Sequence, residues 1–335
     1  MDVLATEWRM TDQRLEALTH WGNRMLEREL AWYPASTDAS FRRYFRATAA
    51  DSSWIAMDAP PQQEDNTAFV RIARLFAAAG LHTPEVLAWD RQRGFLLLTD
   101  LGRQTYLDVL HADNADDLFD AAIDALVTLQ VASRPHVLPV YDRNVLRAEL
   151  MLFRDWYLPC HLRRTPSTAE AAALDTVFDA LLDNALAQPR VYVHRDYMPR
   201  NLMLSVPLPG IIDFQDAMYG PVTYDIACLF RDAFISWPEQ RVHGWLRAYW
   251  QRARQAGVPV ADAFETFQQQ TDLMGVQRHL KVLGIFARIA HRDGKPRYLA
   301  DAPRFVAYIE PLLQRYPQLQ PLAPWLTGRQ PSCAP

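Results

Sequence analysis

The sequence predicts an α+β fold built from a small β-rich lobe, residues 1–100, and a larger helical lobe, residues 101–335. Before residue 100, short apolar or alternating runs lie between turn residues, which is typical of strands. After it, apolar residues recur at helical spacing over long segments. The exception is a strand-like patch at 191–213, where polar residues of several chemical types stand close together.

The small lobe is expected to begin with an amphipathic helix over 12–30. Strands follow between 31 and 58, where "SFRRYFRAT" alternates around aromatic residues and "SWIAMDA" is a short apolar run ended by two prolines. A second helix covers 64–79, and residues 84–102 form a hairpin that turns near Gly94. The lobe is therefore a small sheet with a helix against it.

The large lobe is predicted to be a set of helices joined by short loops. Their expected ranges are 114–132, 143–162, 168–187, 222–236, 238–256, 262–291 and 301–315. The proline-rich segment after residue 315 is expected to be irregular.

Composition restricts the class of protein. Hydrophobic residues make up 50% of the 335 residues and charged residues 22%, as in globular proteins, and the net charge of −4 argues against a nucleic-acid binder. Three widely spaced cysteines suggest a reducing compartment and no zinc site. The N-terminus lacks a signal-peptide pattern, and no apolar run is long enough to cross a membrane. We expect a cytoplasmic monomer without membrane or nucleic-acid partners.

The segment "VHRDYMPRNLML" (193–204) places a loop with an acid and an amide between two short apolar runs. Asp196 follows His and Arg, and Asn201 stands five residues later. Phosphoryl transfer uses this pair, because a carboxylate accepts the proton of the attacking hydroxyl and an amide oxygen holds a divalent ion. An ordinary turn is the alternative.

The next motif, "GIIDFQDAMYG" (210–220), ends a short apolar run in Asp213. An acid after a buried strand is poorly solvated unless a cation or hydrogen-bond donors compensate it. Asp213 is either a metal ligand or a cap of the next turn. The two motifs in this order form the constellation of protein kinases, which predicts a protein-kinase-like bilobal fold and Mg²⁺ held by Asn201 and Asp213.

The segments "HRDYMPRN", "IIDFQD" and "YDIACL", the last with Asp225, resemble the aminoglycoside-phosphotransferase-like family. With "STDASFRRYFR" (36–46) added, the chain looks like the bacterial kinases of N-acetylmuramate and N-acetylglucosamine in cell-wall recycling. The resemblance implies ATP as co-substrate, transfer to the anomeric hydroxyl, and a sugar 1-phosphate product. It also implies that the segment "TDLG" (99–102) is the crossing between the two lobes and that its backbone groups, from Thr99 to Leu101, bind the adenine.

Two standard parts of the pattern are missing. In place of a glycine-rich phosphate loop stands "PASTDASF", whose residues Ser36, Thr37, Asp38 and Ser40 either bind phosphate or form a plain hairpin turn. In place of the phosphate-pairing lysine stands Met57, which cannot pair with an anion. Arg43 is the candidate replacement, whereas Arg42 would point to the opposite face of a strand. Without a replacement, the protein would be a pseudokinase, and Glu64 would lack its usual partner.

The acceptor is less closely defined than the reaction. Many basic residues after the motifs favour a neutral or anionic sugar over a cationic substrate such as an aminoglycoside or choline. Asp216 either binds sugar hydroxyls or caps a turn. If both sugars are accepted, a buried arginine cannot grip the lactyl carboxylate, because it would be unpaired with the neutral sugar. We therefore expect an exposed basic contact, with Arg231 and Arg278 as candidates.

Overall fold

The computed structural model of the chain describes residues 12–35, 42–50 and 52–326. It has the predicted α+β architecture and divides into two units. The described residues of the first unit run to Arg103 and include Met203–Gln215. The second unit contains Gln104–Leu202 and the residues from Asp216 onward.

The regular elements are numbered in chain order. The strands are β1 Tyr33–Pro34, β2 Arg43–Ala49, β3 Ser52–Asp58, β4 Val86–Asp90, β5 Phe95–Thr99, β6 Arg190–Val193, β7 Leu202–Met203, β8 Gly210–Ile211 and β9 Met218–Pro221. The α-helices are α1 Gln13–Leu26, α2 Asn66–Ala78, α3 Tyr106–Val109, α4 Ala115–Val131, α5 Arg143–Leu152, α6 Thr168–Ala187, α7 Tyr224–Phe230, α8 Glu239–Gln255, α9 Phe264–Arg292, α10 Ala302–Arg315 and α11 Ala323–Leu326.

The first unit is built on a five-stranded antiparallel sheet in the order β1-β2-β3-β5-β4. Helix α1 supplies Leu18 and Trp21 to the apolar cluster on this sheet, and Trp21 lies 5.9 Å from Phe95 between ring centroids. The predicted hairpin is confirmed as β4 and β5, with Gly94 at φ +75° in the turn. A Cβ at Gly94 would stand 2.1 Å from the Ala59 carbonyl oxygen, so only glycine fits there.

Helix α9 is the central element of the second unit, because most of its middle residues are buried. It approaches α5 closely at Gly284, where a Cβ would stand 2.3 Å from the Leu152 carbonyl carbon. Helix α6 begins and ends at the predicted residues, and its first turn is closed by a capping box of Ser167 and Glu170.

Several predicted boundaries need correction. The helix predicted over 143–162 is α only to Leu152 and continues as a π-helix, Phe153–His161, that contains Pro159. The helix predicted over 222–236 ends at Phe230, because Arg231 leaves helical geometry at φ −122° and ψ 66°.

The predicted strand-like patch and tail also differ from the structure. The patch is not the only extended part of the second unit, since β6 pairs with the later strand β9. The segment expected to be irregular contains a 3₁₀-helix, Pro317–Leu322, followed by α11. Among the described residues, no helix combines the length and the apolar character that a membrane span requires.

Candidate active site

The loop that carries Asp196 is a strained connection in the second unit. It leaves β6 at Val193, and Arg195 adopts φ +78°, a conformation that side chains other than glycine rarely take. Strained backbone of this kind persists where surrounding contacts over-determine it. Tyr197 provides one such contact, because its hydroxyl donates to the Ala122 carbonyl oxygen at 2.8 Å.

Asp225, in the first turn of α7, fixes the start of this loop. Its carboxylate accepts the backbone N–H of His194 at 2.7 Å and that of Arg195 at 2.9 Å. The side chain is fully buried, and burial raises the pKa of Asp225 to about 7 despite these two bonds. Asp225 thus stabilises the strained turn that precedes Asp196.

Asp196 is partly exposed and is held in its charged form. The surrounding protein acts to raise its pKa, but the charges of Lys281 and Arg278, followed by those of His194 and Arg195, outweigh this and lower the pKa of Asp196 below its usual value. A carboxylate that stays ionised at neutral pH can orient an attacking hydroxyl and accept its proton.

Asn201 ends a 3₁₀ turn, Pro199–Asn201, and its amide orientation is fixed by the loop. The backbone N–H of Asn201 donates to the Met198 carbonyl oxygen at 2.8 Å, and the side-chain nitrogen donates to the Asp196 carbonyl oxygen at 2.9 Å. Because the amide nitrogen is used in this way, the amide oxygen is the atom suited to a hard cation.

Asp213 belongs to the first unit and differs from expectation in its environment. The strand before it has only two residues, and Asp213 itself adopts φ +64° with an exposed side chain, so it is not the desolvated acid that the sequence suggested. Its Oδ1 accepts a hydrogen bond from Gln215 at 2.8 Å. The next residue, Phe214, packs on α2 through Phe69 at 5.0 Å and Phe76 at 5.8 Å between ring centroids.

The two predicted metal ligands belong to different units, and each has a chemical type that suits magnesium. Asp213 offers an exposed carboxylate and Asn201 an oriented amide oxygen, and both are hard oxygen donors. In the described part of the chain, no three acidic, histidine or cysteine side chains cluster to form a complete protein cage. An ion at either residue would therefore need phosphate oxygens and water as further ligands.

The predicted nucleotide contacts are only partly within the described residues. Ser36, Thr37, Asp38 and Ser40 lie outside them. Thr99 closes β5 and its hydroxyl accepts the Glu85 N–H at 2.9 Å, while the Leu101 side chain is buried.

An arginine that the sequence analysis overlooked holds this crossing. Arg46 binds both carboxylate oxygens of Asp100, at 2.6 and 2.9 Å, and also donates to the Gly102 carbonyl oxygen. Burial acts to raise the pKa of Asp100, but the Arg46 hydrogen bonds help to lower it overall. The alternation of "RRYFR" placed Arg46 on a face, but nothing local indicated its partner.

Met57 is fully buried in β3, so no cation stands at that position. The proposed substitute, Arg43, pairs with Asp58 and with Asp12. Arg42 instead forms an ion pair with Glu64, at 2.9 Å between Nη2 and Oε2, and both side chains are largely buried. The acid expected to pair with the missing lysine therefore pairs with the arginine that sequence reasoning set aside.

The three candidate substrate contacts occupy different environments. Asp216 is exposed, and its carbonyl oxygen accepts a hydrogen bond from Arg195 at 3.4 Å. Arg231 is 4% exposed and bound to Asp272 and Glu239, each at 2.9 Å. Arg278 is 3% exposed. The expectation that the two arginines are solvent-exposed is therefore wrong, because both side chains point into the helical core.

A buried ionic cluster beside the loop was also missed. Glu149 accepts from Arg195 at 2.6 Å and from Lys281 at 2.9 Å, and Lys281 donates to the Tyr224 hydroxyl at 3.1 Å. Arg278 and Lys281 stand three residues apart on α9, which places both on one helix face. The available signal was the pair of basic residues at this spacing in the middle of the helix, where apolar residues flank them.

Comparisons with known proteins identify the family of the chain. A profile of the phosphotransferase enzyme family (APH) matches residues 31–264. An N-acetylmuramate/N-acetylglucosamine kinase of Pseudomonas aeruginosa is 59% identical over 295 residues, which cover 88% of this chain and 87% of that protein. A protein of the same name from Pseudomonas putida is 56% identical and covers 93% of this chain and 95% of its own.

Solved structures support the kinase-like fold. The choline kinase LicA of Streptococcus pneumoniae aligns with a TM-score of 0.60 at 14% identity and covers 89% of this chain and 99% of its own. A streptomycin–ATP complex of APH(2″)-IIa aligns with a TM-score of 0.58 at 17% identity, with the same coverage. These likenesses concern the fold, whereas the family profile and the two relatives cover most of the sequence. The chain belongs to the phosphotransferase enzyme family.

Proposed function

We propose that the protein is an ATP-dependent kinase that phosphorylates the anomeric hydroxyl of N-acetylmuramate and N-acetylglucosamine and gives sugar 1-phosphates for cell-wall recycling in the cytoplasm. The observation that carries this proposal is the 59% and 56% identity, over most of the chain, to two kinases named for these sugars. The ionised Asp196 on its braced loop supplies the chemistry that such an enzyme needs.

In the proposed reaction, Asp196 orients the sugar hydroxyl and accepts its proton. A bond forms between the sugar oxygen and the γ-phosphorus of ATP, the bond from that phosphorus to the bridging oxygen breaks, and ADP leaves. Asn201 and Asp213 are the residues proposed to hold Mg²⁺, which neutralises charge on the phosphates.

We also propose Arg42 as the cation that serves the nucleotide phosphates where Met57 stands. The support is its ion pair with Glu64, since the lysine of kinases depends on such a pairing to be in place. Arg43 remains the alternative, although Asp12 and Asp58 already engage its guanidinium.

A substrate panel tests the proposal directly. Purified protein with Mg²⁺ and ATP should consume ATP with either amino sugar, and not with kanamycin or choline. The 1-O-methyl glycosides should be inert, because the attacking oxygen is blocked. Turnover of a methyl glycoside would refute transfer to the anomeric oxygen, and activity with kanamycin or choline alone would refute the amino-sugar acceptor. A lack of ATP consumption with every substrate would support a pseudokinase.

A further inference from the structure

Arg278 is a buried cation that binds no anionic partner among the described residues. The residue is 3% exposed, and its Nη2 has a weak contact, 3.7 Å, with the Met198 sulfur. In the part of the chain that the structure describes, its buried Nη1 has no hydrogen-bond partner. Within residues 12–35, 42–50 and 52–326, no carboxylate oxygen lies within the 4.0 Å that defines an ion pair with it.

This arrangement is unlike that of the other buried cations of the second unit. Arg231 has Asp272 and Glu239, and Lys281 has Glu149. Asp196 and Asp232 lie near enough to attract Arg278 electrostatically, but neither binds it. A buried charge without a bound partner costs stability, which is tolerated where a ligand completes the site.

The position of Arg278 indicates which kind of ligand binds its guanidinium. Met198, which covers Nη2, lies between Asp196 and Asn201 on the catalytic loop. Methionine has three rotatable bonds and adapts its shape readily, so a rotamer change would open the guanidinium to an anion beside Asp196. Two anions are available there under the proposed function: the lactyl carboxylate of N-acetylmuramate and the phosphoryl group in transfer.

Because both sugars are substrates under the proposed function, the anion that binds Arg278 should be one that is present with either sugar. A buried arginine that required the lactyl carboxylate would be left unpaired whenever N-acetylglucosamine is bound, because that sugar has no such group. The phosphoryl group is common to both reactions. Its oxygens match the planar fork of a guanidinium, and its charge is what a preorganised cation stabilises in the transition state.

We propose that Arg278 binds the phosphoryl group as it passes from ATP to the sugar, and that it does not read the sugar's carboxylate. The inference rests on the proposed function and assigns to α9 a direct part in the chemistry. Lys281 is bound by Glu149 and Tyr224. Its charge instead stabilises the ionised form of Asp196.

Kinetics with both sugars test the assignment. Arg278→Met should lower kcat about 100-fold or more with N-acetylmuramate and with N-acetylglucosamine alike, as removal of a transition-state donor does. Arg278→Lys should recover part of the loss, since it restores the charge without the fork. A loss confined to N-acetylmuramate would overturn the proposal in favour of the lactyl carboxylate.

Thermal unfolding of the ligand-free protein separates a functional from a structural role. Arg278→Met should leave the midpoint unchanged or raise it, whereas the matched variant Arg231→Met should lower it because it breaks two ion pairs. A fall for Arg278→Met as large as that for Arg231→Met would overturn the proposal.

A binding measurement keeps this inference distinct from the proposed function. Inorganic phosphate should raise the unfolding midpoint of the wild type more than sodium chloride at equal ionic strength, and Arg278→Met should remove the difference. This outcome would support an anion site even if neither sugar proved to be a substrate. Equal effects of phosphate on the wild type and on Arg278→Met would overturn the inference, even if both sugars were turned over.

Discussion

Asp196 owes its charge state to residues that are distant in sequence. Lys281 and Arg278 come from α9, yet together they counteract the effect of burial on the carboxylate. The HRD motif predicts Asp196 as the base, and charges on the long helix lower the pKa of this carboxyl group. The first is a local pattern in the sequence, whereas the second depends on residues that are brought together only by the fold.

Replacing Asp196 with asparagine should keep the loop and the nucleotide affinity but lower kcat by about 100-fold to 10,000-fold, the usual contribution of a positioned base. The control Asp262→Asn changes a fully exposed acid that pairs with Arg254 at the surface, and it should leave kcat unchanged. Near-normal turnover of Asp196→Asn would show that another group accepts the proton.

Arg42 and Arg43, which are neighbours in the first unit, are expected to differ in their effect on nucleotide binding. Arg42→Ala should raise the KM for ATP about tenfold or more, because it removes a charge-assisted contact to phosphate, and Arg42→Lys should restore part of it. Arg43→Ala should instead leave this KM nearly unchanged, because Asp12 and Asp58 already hold the Arg43 guanidinium. The reverse pattern would identify Arg43 as the phosphate ligand.

At the scale of elements, α7 supports the loop that carries Asp196. Its Asp225 accepts two consecutive N–H groups of the strained turn, and it does so from a fully buried position. Because burial raises its pKa to about 7, the side chain is protonated in the folded protein over a range in which it is ionised in the unfolded chain.

This difference gives a pH dependence of stability with a defined sign. Asp225 favours the folded state most below its unfolded pKa, and that contribution declines as pH rises through about 7. The free energy of unfolding of the wild type should therefore fall between pH 5 and pH 8 relative to Asp225→Asn, by up to about 3 kcal/mol. Urea titrations at both values measure it, and a constant difference between the two proteins would show that the pKa is not raised.

The elements also show where sequence reasoning succeeds. The helix periodicity of α6 and the turn glycine of the β4–β5 hairpin are local signals, and both were confirmed. Alternation does not orient Arg42, because that residue precedes β2 and the rule that neighbours in a strand face opposite ways does not apply to it. The pairing of β6 with β9 is non-local and left no pattern in either strand alone.

For the molecule as a whole, fold and substrate rest on different evidence. Structures at 14% and 17% identity share the architecture although they act on unrelated acceptors, so the fold alone does not choose a sugar. The choice rests on relatives that match most of the chain at 59% and 56% identity. Acceptor recognition therefore depends on side chains that differ among proteins of one fold.

Metal removal distinguishes a catalytic ion from a structural one. Within the described residues, no cluster of acidic, histidine or cysteine side chains could hold an ion as part of the fold, so a chelator should leave the unfolding midpoint of the ligand-free protein unchanged. The same treatment should abolish phosphoryl transfer, and Mg²⁺ should restore it, because Asn201 and Asp213 are expected to hold the ion only together with phosphate oxygens and water. Asp213→Asn should raise the Mg²⁺ concentration needed for half-maximal rate, since it replaces a carboxylate by a neutral donor. Full activity in chelator would refute the metal assignment, and a lowered midpoint would instead indicate an ion that supports the fold.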